Sequence, residues 1–386
     1  MAACGANAAG DGAVTIGVLT DMSGVYSDVG GKASVTAAQM AIDDFGGEVL
    51  GKPIKLVSAD HQNKADVGSA TAREWIDVDK VDMITDLLNS AVGLAVQEIS
   101  SAKQVITINT GAGSSDLTTK HCTKYGIHYV YDTYSLPVGT ATAVVEEGGK
   151  SWYFLTADYA FGQSLEENTT AIVEKLGGTV EGAVRHPLAT TDFSSYLLQA
   201  QASGAQVIGL ANAGGDTINS IKQANEFGIV EGGQQLAGML VFISDIKSLG
   251  LEIAKGLQFT VGYYWDRNDA SREFGQAFID KAGVAPTMNH AGVYSAVTNY
   301  LKAVEKVGSD DPDAVREELG KETIDFFGAT GNIRADGSFV HDMFLVKVKE
   351  PADSKGDWDL MEVVSDIPGE TAYMTLEQGG CKLATQ

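Results

Sequence analysis

The chain has 386 residues, 44% hydrophobic and 20% charged, with 51 acidic against 27 basic residues and a formal net charge of -24. That length exceeds one compact core and suits two lobes, and no run approaches the roughly 18 apolar residues that a membrane-spanning helix requires. An acidic surface with no basic stripe repels phosphate backbones and anionic lipid, which disfavours nucleic-acid binding, although a pocket can still hold a local charge of either sign.

Residues 1–12 read as an export remnant or tether rather than fold. In Met1-Ala2-Ala3-Cys4-Gly5, small residues precede a cysteine and a Gly/Ala/Asn stretch follows it. This resembles a bacterial lipoprotein processing site, with Cys4 as the lipidation candidate; ordinary signal cleavage within Gly5-Ala6-Asn7-Ala8 is the alternative. Either reading places the chain in the periplasm or on the outer face of the cytoplasmic membrane.

Beyond the tether, short apolar runs alternate with amphipathic ones. Val14 to Leu19 reads as a strand, and Val35, Ala38, Ile42 and Phe45 fall at helical spacing in Lys32–Phe45, which Gly46-Gly47 stops. Strand Ile54–Ser58, helix Val67–Val78, strand Met83–Leu87, helix Ala91–Lys103 and strand Val105–Asn109 follow. The rhythm restarts with strand Trp152–Thr156, helix Gly162–Leu176, strand Val180–Val184, a helix around Phe193–Ala202, strand Val207–Leu210 and helix Thr217–Phe227. Strands at Leu236–Phe242 and Leu257–Val261 come next, then helices near Ser271–Ala282, Ala291–Val307 and Asp313–Leu319, and a strand at Phe344–Lys349 before irregular structure. The pattern predicts an α/β protein of two doubly wound, Rossmann-like lobes, with late helices returning to the first lobe. The cleft between such sheets faces the carboxyl ends of their strands and is the expected ligand site.

Three strand-to-helix turns are rich in small and hydroxyl-bearing residues: Thr20 to Ser27 with Tyr26, Asn109 to Asp116 with Ala112, Gly113 and Ser114, and Ala211 to Asp216 with Asn212 and Ala213. Asn89-Ser90 has the same character. Small residues admit a ligand to the backbone, and free N–H groups at a helix start attract a carboxylate. Gly111-Ala112-Gly113 is not a dinucleotide fingerprint, because Asp116 stands where the third glycine belongs and the first turn has no G-x-G-x-x-G. Asp158, Tyr159 and Phe161, just after strand Trp152–Thr156, supply an aromatic rim suited to covering an organic ligand; Tyr263-Tyr264-Trp265 reads more as hinge packing. For an amino-acid ligand, Asp21, Asp158 or Asp216 could meet the ammonium.

No nucleophile-and-base motif is present, Gly162-Gln163-Ser164-Leu165-Glu166 breaks the nucleophile-elbow pattern at its last place, and the six histidines show no metal-ligand spacing. No enzyme activity, metal or cofactor is expected. From spacing alone, Cys122 and Cys381 are either bonded or two free thiols.

Ile16-Gly17-Val18-Leu19-Thr20-Asp21-Met22-Ser23-Gly24 resembles the opening of type I solute-binding proteins of branched-chain amino-acid and amide ABC importers. The similarity extends through Ala37–Asp44, Asp60-His61-Gln62-Asn63, Thr156 to Gly162, Gly209–Phe227, Tyr294–Lys302 and Ile333 to Gly337. The resemblance implies a type I periplasmic-binding-protein fold with three hinge crossovers, the N-terminal lobe comprising 13–132 plus 262–340 and the C-terminal lobe 133–261 plus 341–386. It implies a monomer that closes on an amino acid, amide or aromatic carboxylate and delivers it to permease and ATPase subunits; a sensing module for a chemoreceptor or histidine kinase is the alternative. It also implies that Asn89-Ser90 and Ala112-Gly113-Ser114 meet a carboxylate, that Phe161 faces the ligand, and that Cys122 and Cys381 are bonded. Small Ala213-Gly214, and Val29 near the first turn, stand where relatives carry aromatics, which predicts a roomier pocket.

Overall fold

The computed structural model describes residues 12–385, so the lipidation candidate Cys4 lies outside the described residues. Strand β1 (Val14–Thr20), a β-branched run buried along its whole length, leads to helix α1 (Gly31–Phe45), which ends at Gly46 in the left-handed conformation. There follow β2 (Glu48–Val49), β3 (Lys52–Asp60), α2 (Ala65–Glu74), β4 (Met83–Asp86), α3 (Ser90–Ala102), β5 (Ile106–Asn109) and β6 (Gly126–His128). The sheet runs β2-β3-β1-β4-β5-β6, parallel except for the short β2–β3 pair.

The second lobe starts with α4 (Ser135–Glu146) and continues β7 (Ser151–Ala157), α5 (Ala160–Lys175), β8 (Thr179–His186), α6 (Ser194–Ala202), β9 (Val207–Ala211), α7 (Gly215–Glu226), β10 (Gln235–Gly238), α8 (Ile243–Leu249), α9 (Leu251–Ala254) and β11 (Gln258–Val261). Its parallel sheet has the order β10-β9-β7-β8. The chain then returns through α10 (Asp269–Ala282), α11 (Met288–Val307), α12 (Pro312–Leu319), β12 (Thr323–Phe326), β13 (Ala329–Ile333) and β14 (Phe339–Val340), with α11 packed along α1. Finally β15 (Met343–Val348) pairs with β11 and with β16 (Met361–Ile367).

Three departures from the sequence pattern have physical reasons. Helix α4 (SLPVGTATAVVE) is buried on nearly every side, so it carries no apolar stripe to read. The strand expected over Leu236–Phe242 stops at Gly238, and the following residues turn toward the other lobe. Strand β16 falls where irregular structure was expected, because its mostly exposed residues include Glu362, Ser365 and Asp366.

The chain crosses between lobes near residues 129–134, 262–268 and 340–343. All three crossings meet at one carbonyl. Val130 has φ 77°, a strained value for a β-branched residue. Its oxygen lies 2.8 Å from His341 Nε2, accepts the Tyr373 hydroxyl at 2.9 Å, and would stand 2.7 Å from a Cβ on Gly262. Cys122 and Cys381 are joined by a disulfide with Cα atoms 5.9 Å apart, which brings the tail beyond Tyr373 back to the first lobe.

Candidate functional site

A narrow crevice runs between the lobes at the carboxyl ends of the central strands. After β4 the first lobe contributes Leu88, Asn89 and Ser90, and after β5 it contributes Gly111, Ala112 and Gly113. Tyr26 and Val29 come from the turn after β1, and Tyr131 from the first crossover. The second lobe supplies Tyr159 and Phe161 at the start of α5, Ala213 after β9, and Leu240 and Phe242 after β10.

One end of this crevice is built of donors. Asn89 caps α3, its side chain accepting from the N–H groups of Ala91 and Val92, so the positive end of a 13-residue helix points toward the crevice. Ser90 Oγ accepts the Ser114 N–H at 3.1 Å, which leaves the Ser90 proton to be donated elsewhere. The Ala112 N–H is taken by Asn109 Oδ1 at 2.9 Å, whereas the Gly113 N–H has no acceptor among the described residues. The loop itself is held by Tyr131, whose hydroxyl donates to the Gly111 carbonyl at 2.7 Å, and by His128 Nε2, 2.7 Å from the Ala112 oxygen. Helix start, hydroxyl and free N–H together suit a carboxylate.

The rest is wall. Phe161 lies so close to Gly113 that a Cβ there would be 3.0 Å from its ring. The Tyr159 and Phe161 rings are 6.0 Å apart, and the Tyr131 and Phe242 rings 6.1 Å apart and near-perpendicular. Across the lobes, the hydroxyls of Tyr26 and Tyr159 share a 2.6 Å hydrogen bond, and the Gly215 N–H donates to the Val25 carbonyl at 3.0 Å. Burial pushes both phenols well above their ordinary range, so they stay neutral.

The roomier pocket expected from Ala213-Gly214 is absent. Gly214 has φ 56°, and a Cβ on it would meet the Val25 oxygen at 2.5 Å and the Tyr26 ring at 3.0 Å. The first-lobe turn fills the space that a larger side chain would have taken.

Of the residues singled out from sequence, Tyr26, Asn89, Ser90, Ala112, Gly113, Tyr159, Phe161 and Ala213 line the crevice. Ser114 sits behind Ser90, its side chain accepting the Asp116 N–H. Asp158 is exposed and faces Arg185 at 3.7 Å. Asn212 is buried in a polar cluster with Thr217 at 2.7 Å, Ser220 at 3.0 Å and His186 at 3.1 Å. Asp216 lies outside the lining, where burial lifts its carboxyl to about 7. Asp21 is consumed by its own turn, accepting from the N–H groups of Gly24 and Tyr26 and from Asn63. No charged side chain is among those lining the crevice. Sequence reasoning missed Leu88, Tyr131, Leu240 and Phe242; Tyr131 closes the first rhythm, and Leu240 and Phe242 were read as strand interior. Tyr263, Tyr264 and Trp265 pack the second crossover, bonded to the carbonyls of Ser271, Met361 and Trp358.

Residues 13–357 match the family described as periplasmic binding protein. A crystal structure of a periplasmic binding protein from Burkholderia mallei is 51% identical with a TM-score of 0.95, covering 97% of this chain and 100% of that one. A branched chain amino acid ABC transporter periplasmic ligand-binding protein from Burkholderia xenovorans LB400 is 43% identical with a TM-score of 0.85, over 96% of this chain and 100% of that one. An ABC transporter solute binding protein from R. palustris, solved with 4-hydroxybenzoate, shares the fold at 23% identity and a TM-score of 0.83, over 92% and 97% of the two chains. With its two hinged sheets, its donor-lined crevice and a match over nearly its whole length, the chain belongs to the periplasmic binding protein family.

Proposed function

We propose that this protein is the extracytoplasmic receptor of an ABC importer, that it carries no catalysis of its own, and that it closes on a small carboxylate with a flat, uncharged body. One observation carries the ligand class: the crevice offers donors at one end and aromatic walls elsewhere, with no acidic side chain among its lining residues. Enclosing an ammonium there would desolvate it without a counter-charge, which costs several kcal/mol. An aromatic acid needs only the Ser90 and Gly113 donors and the faces of Phe161, Tyr131 and Phe242. The R. palustris protein solved with 4-hydroxybenzoate is consistent with that chemistry in the same fold.

In this reading one lobe comprises residues 13–132 with 262–340 and the other 133–261 with 341 onward, while the disulfide draws the tail beyond Tyr373 to the first. Closure follows from a ligand that touches both lobes and shifts the hinge equilibrium. The monomeric closed form is what the permease and ATPase subunits receive, and Cys4 serves as a lipid anchor on the outer face of the cytoplasmic membrane. Isothermal titration with benzoate, 4-hydroxybenzoate, leucine, glutamine and acetamide tests the assignment. Binding of the aromatic acids with no heat from leucine is the expected result; the reverse order would discard the ligand class, and silence across the panel would discard the receptor reading.

A further inference from the structure

The first-lobe turn holding Val25 and Tyr26 packs on the start of α7, Asp28 of the same turn acts electrostatically on the start of α8, and each start carries a buried carboxylate. Asp216, in the first turn of α7, is 1% exposed; its Oδ2 accepts the Ala189 N–H at 3.2 Å and its Oδ1 has no hydrogen-bond partner. Asp245, in the first turn of α8, is also 1% exposed, and its Oδ2 accepts the N–H of Phe242, a residue of the crevice wall, at 2.9 Å. Neither forms an ion pair among the described residues.

The groups facing them offer no compensation. Asp216 acts on the Tyr26 phenol from the other lobe and the Tyr159 phenol from its own, both neutral, and receives the amides of Ala189 and Thr190. His186, which reaches the neighbouring Asn212, has its imidazole pKa lowered by burial. Asp245 faces Asp28 of the first-lobe turn, a like charge, while Lys247 of its own helix is engaged by Asp357 at 2.8 Å. Closure itself brings the first lobe against the residues just before Asp216: the Gly215 N–H meets the Val25 oxygen, and Gly214 abuts the Tyr26 ring.

We propose that closing the lobes takes up a proton at Asp216, with Asp245 a second group of the same kind, so that acidity favours the closed receptor. The proposal rests on the reading of this chain as a closing receptor, but not on the identity of its ligand. Burial lifts each carboxyl to about 7 in the closed arrangement, Asp28 adding to the effect on Asp245. With the first-lobe turn withdrawn, water returns to them and their values fall toward the ordinary carboxylate range. The sign follows. A group that binds its proton more tightly in the closed form makes the closing constant fall as pH rises between its open and closed values, by up to about tenfold per pH unit per group, and level beyond about pH 7.

Calorimetry of benzoate binding to the wild-type chain near pH 6, in two buffers of different ionisation heat, reads the protons taken up per closure. About one to two is expected, falling toward zero near pH 8, and Asp216→Asn should remove about one. Binding with no proton uptake at pH 6 overturns the proposal and leaves the receptor reading intact. Should benzoate not bind, the ligand class fails separately, and small-angle scattering of the ligand-free chain decides instead. A radius of gyration that grows as pH rises to about 7 and then levels supports the coupling; one that is constant across that range overturns it.

Discussion

The phenol oxygens of Tyr26 and Tyr159 stand 2.6 Å apart, one from each lobe, at the crevice wall. Tyr26 is buried and Tyr159 half-buried, and because the two belong to different lobes this bond exists only while the lobes are shut and adds to whatever a ligand contributes. Tyr26→Phe and Tyr159→Phe should each weaken benzoate binding by about 0.5–1.5 kcal/mol, and the double variant should lose less than the sum. A double-mutant cycle by calorimetry measures the coupling; strict additivity would show that the pair does not latch the lobes.

Gly113→Ala tests the approach of Phe161. A methyl group 3.0 Å from that ring forces the aromatic wall outward, while Gly113 itself has an ordinary backbone conformation. Overpacking of this kind costs about 1–3 kcal/mol, and here it should appear as lost ligand affinity with a melting temperature within a few degrees of wild type. Unchanged affinity would move the ligand away from Phe161.

Ser90→Ala removes a hydroxyl that receives the Ser114 N–H and has its own proton to give. Loss of a charge-assisted bond to a carboxylate is worth roughly 1.5–3 kcal/mol. The same variant should bind the primary amide of the ligand with much less penalty. Equal losses for acid and amide would argue against a carboxylate at this end.

Asp86 gives a pH-dependent stability. It is fully buried below Gly111, it accepts from Asn289 at 3.2 Å, and burial raises its carboxyl to about 6. Because the folded value lies above the unfolded one, its stabilising contribution is complete below about pH 4 and is lost as pH rises toward 6. Asp86→Asn should therefore gain stability relative to wild type across that interval, by about 2 kcal/mol. Asparagine also tolerates the φ of 76° at this position. Denaturant melts of both proteins between about pH 4 and 7 check this; a constant difference would mean that Asp86 does not titrate there.

The alternation of strands and helices was readable because each element kept its own period and its own stop. Val14 to Leu19 is a short run rich in β-branched residues, and Gly46 ends α1 in a conformation few other residues adopt. The turns carrying Asn89, Ser90 and Gly113 were readable for the same reason, since small and capping residues sit where strands end. What stayed hidden depends on tertiary placement. Helix α4 is buried too evenly to show a stripe. Tyr131 reaches the crevice only because the first crossover folds back under Gly111, and Leu240 and Phe242 only because β10 stops at Gly238. The room foreseen beside Ala213 could not be judged without knowing that Tyr26, far away in sequence, would occupy it.

The bond between Cys122 and Cys381 turns most of the polypeptide into a covalent ring, with a sequence separation of 259 residues. Every passage of the backbone between the two halves lies inside that ring. A protease that nicks any single loop of the second half therefore releases nothing: the two pieces migrate as one species on a denaturing gel until a thiol reductant is added. In an oxidising compartment the molecule can thus be cut once within that ring and still remain a single body.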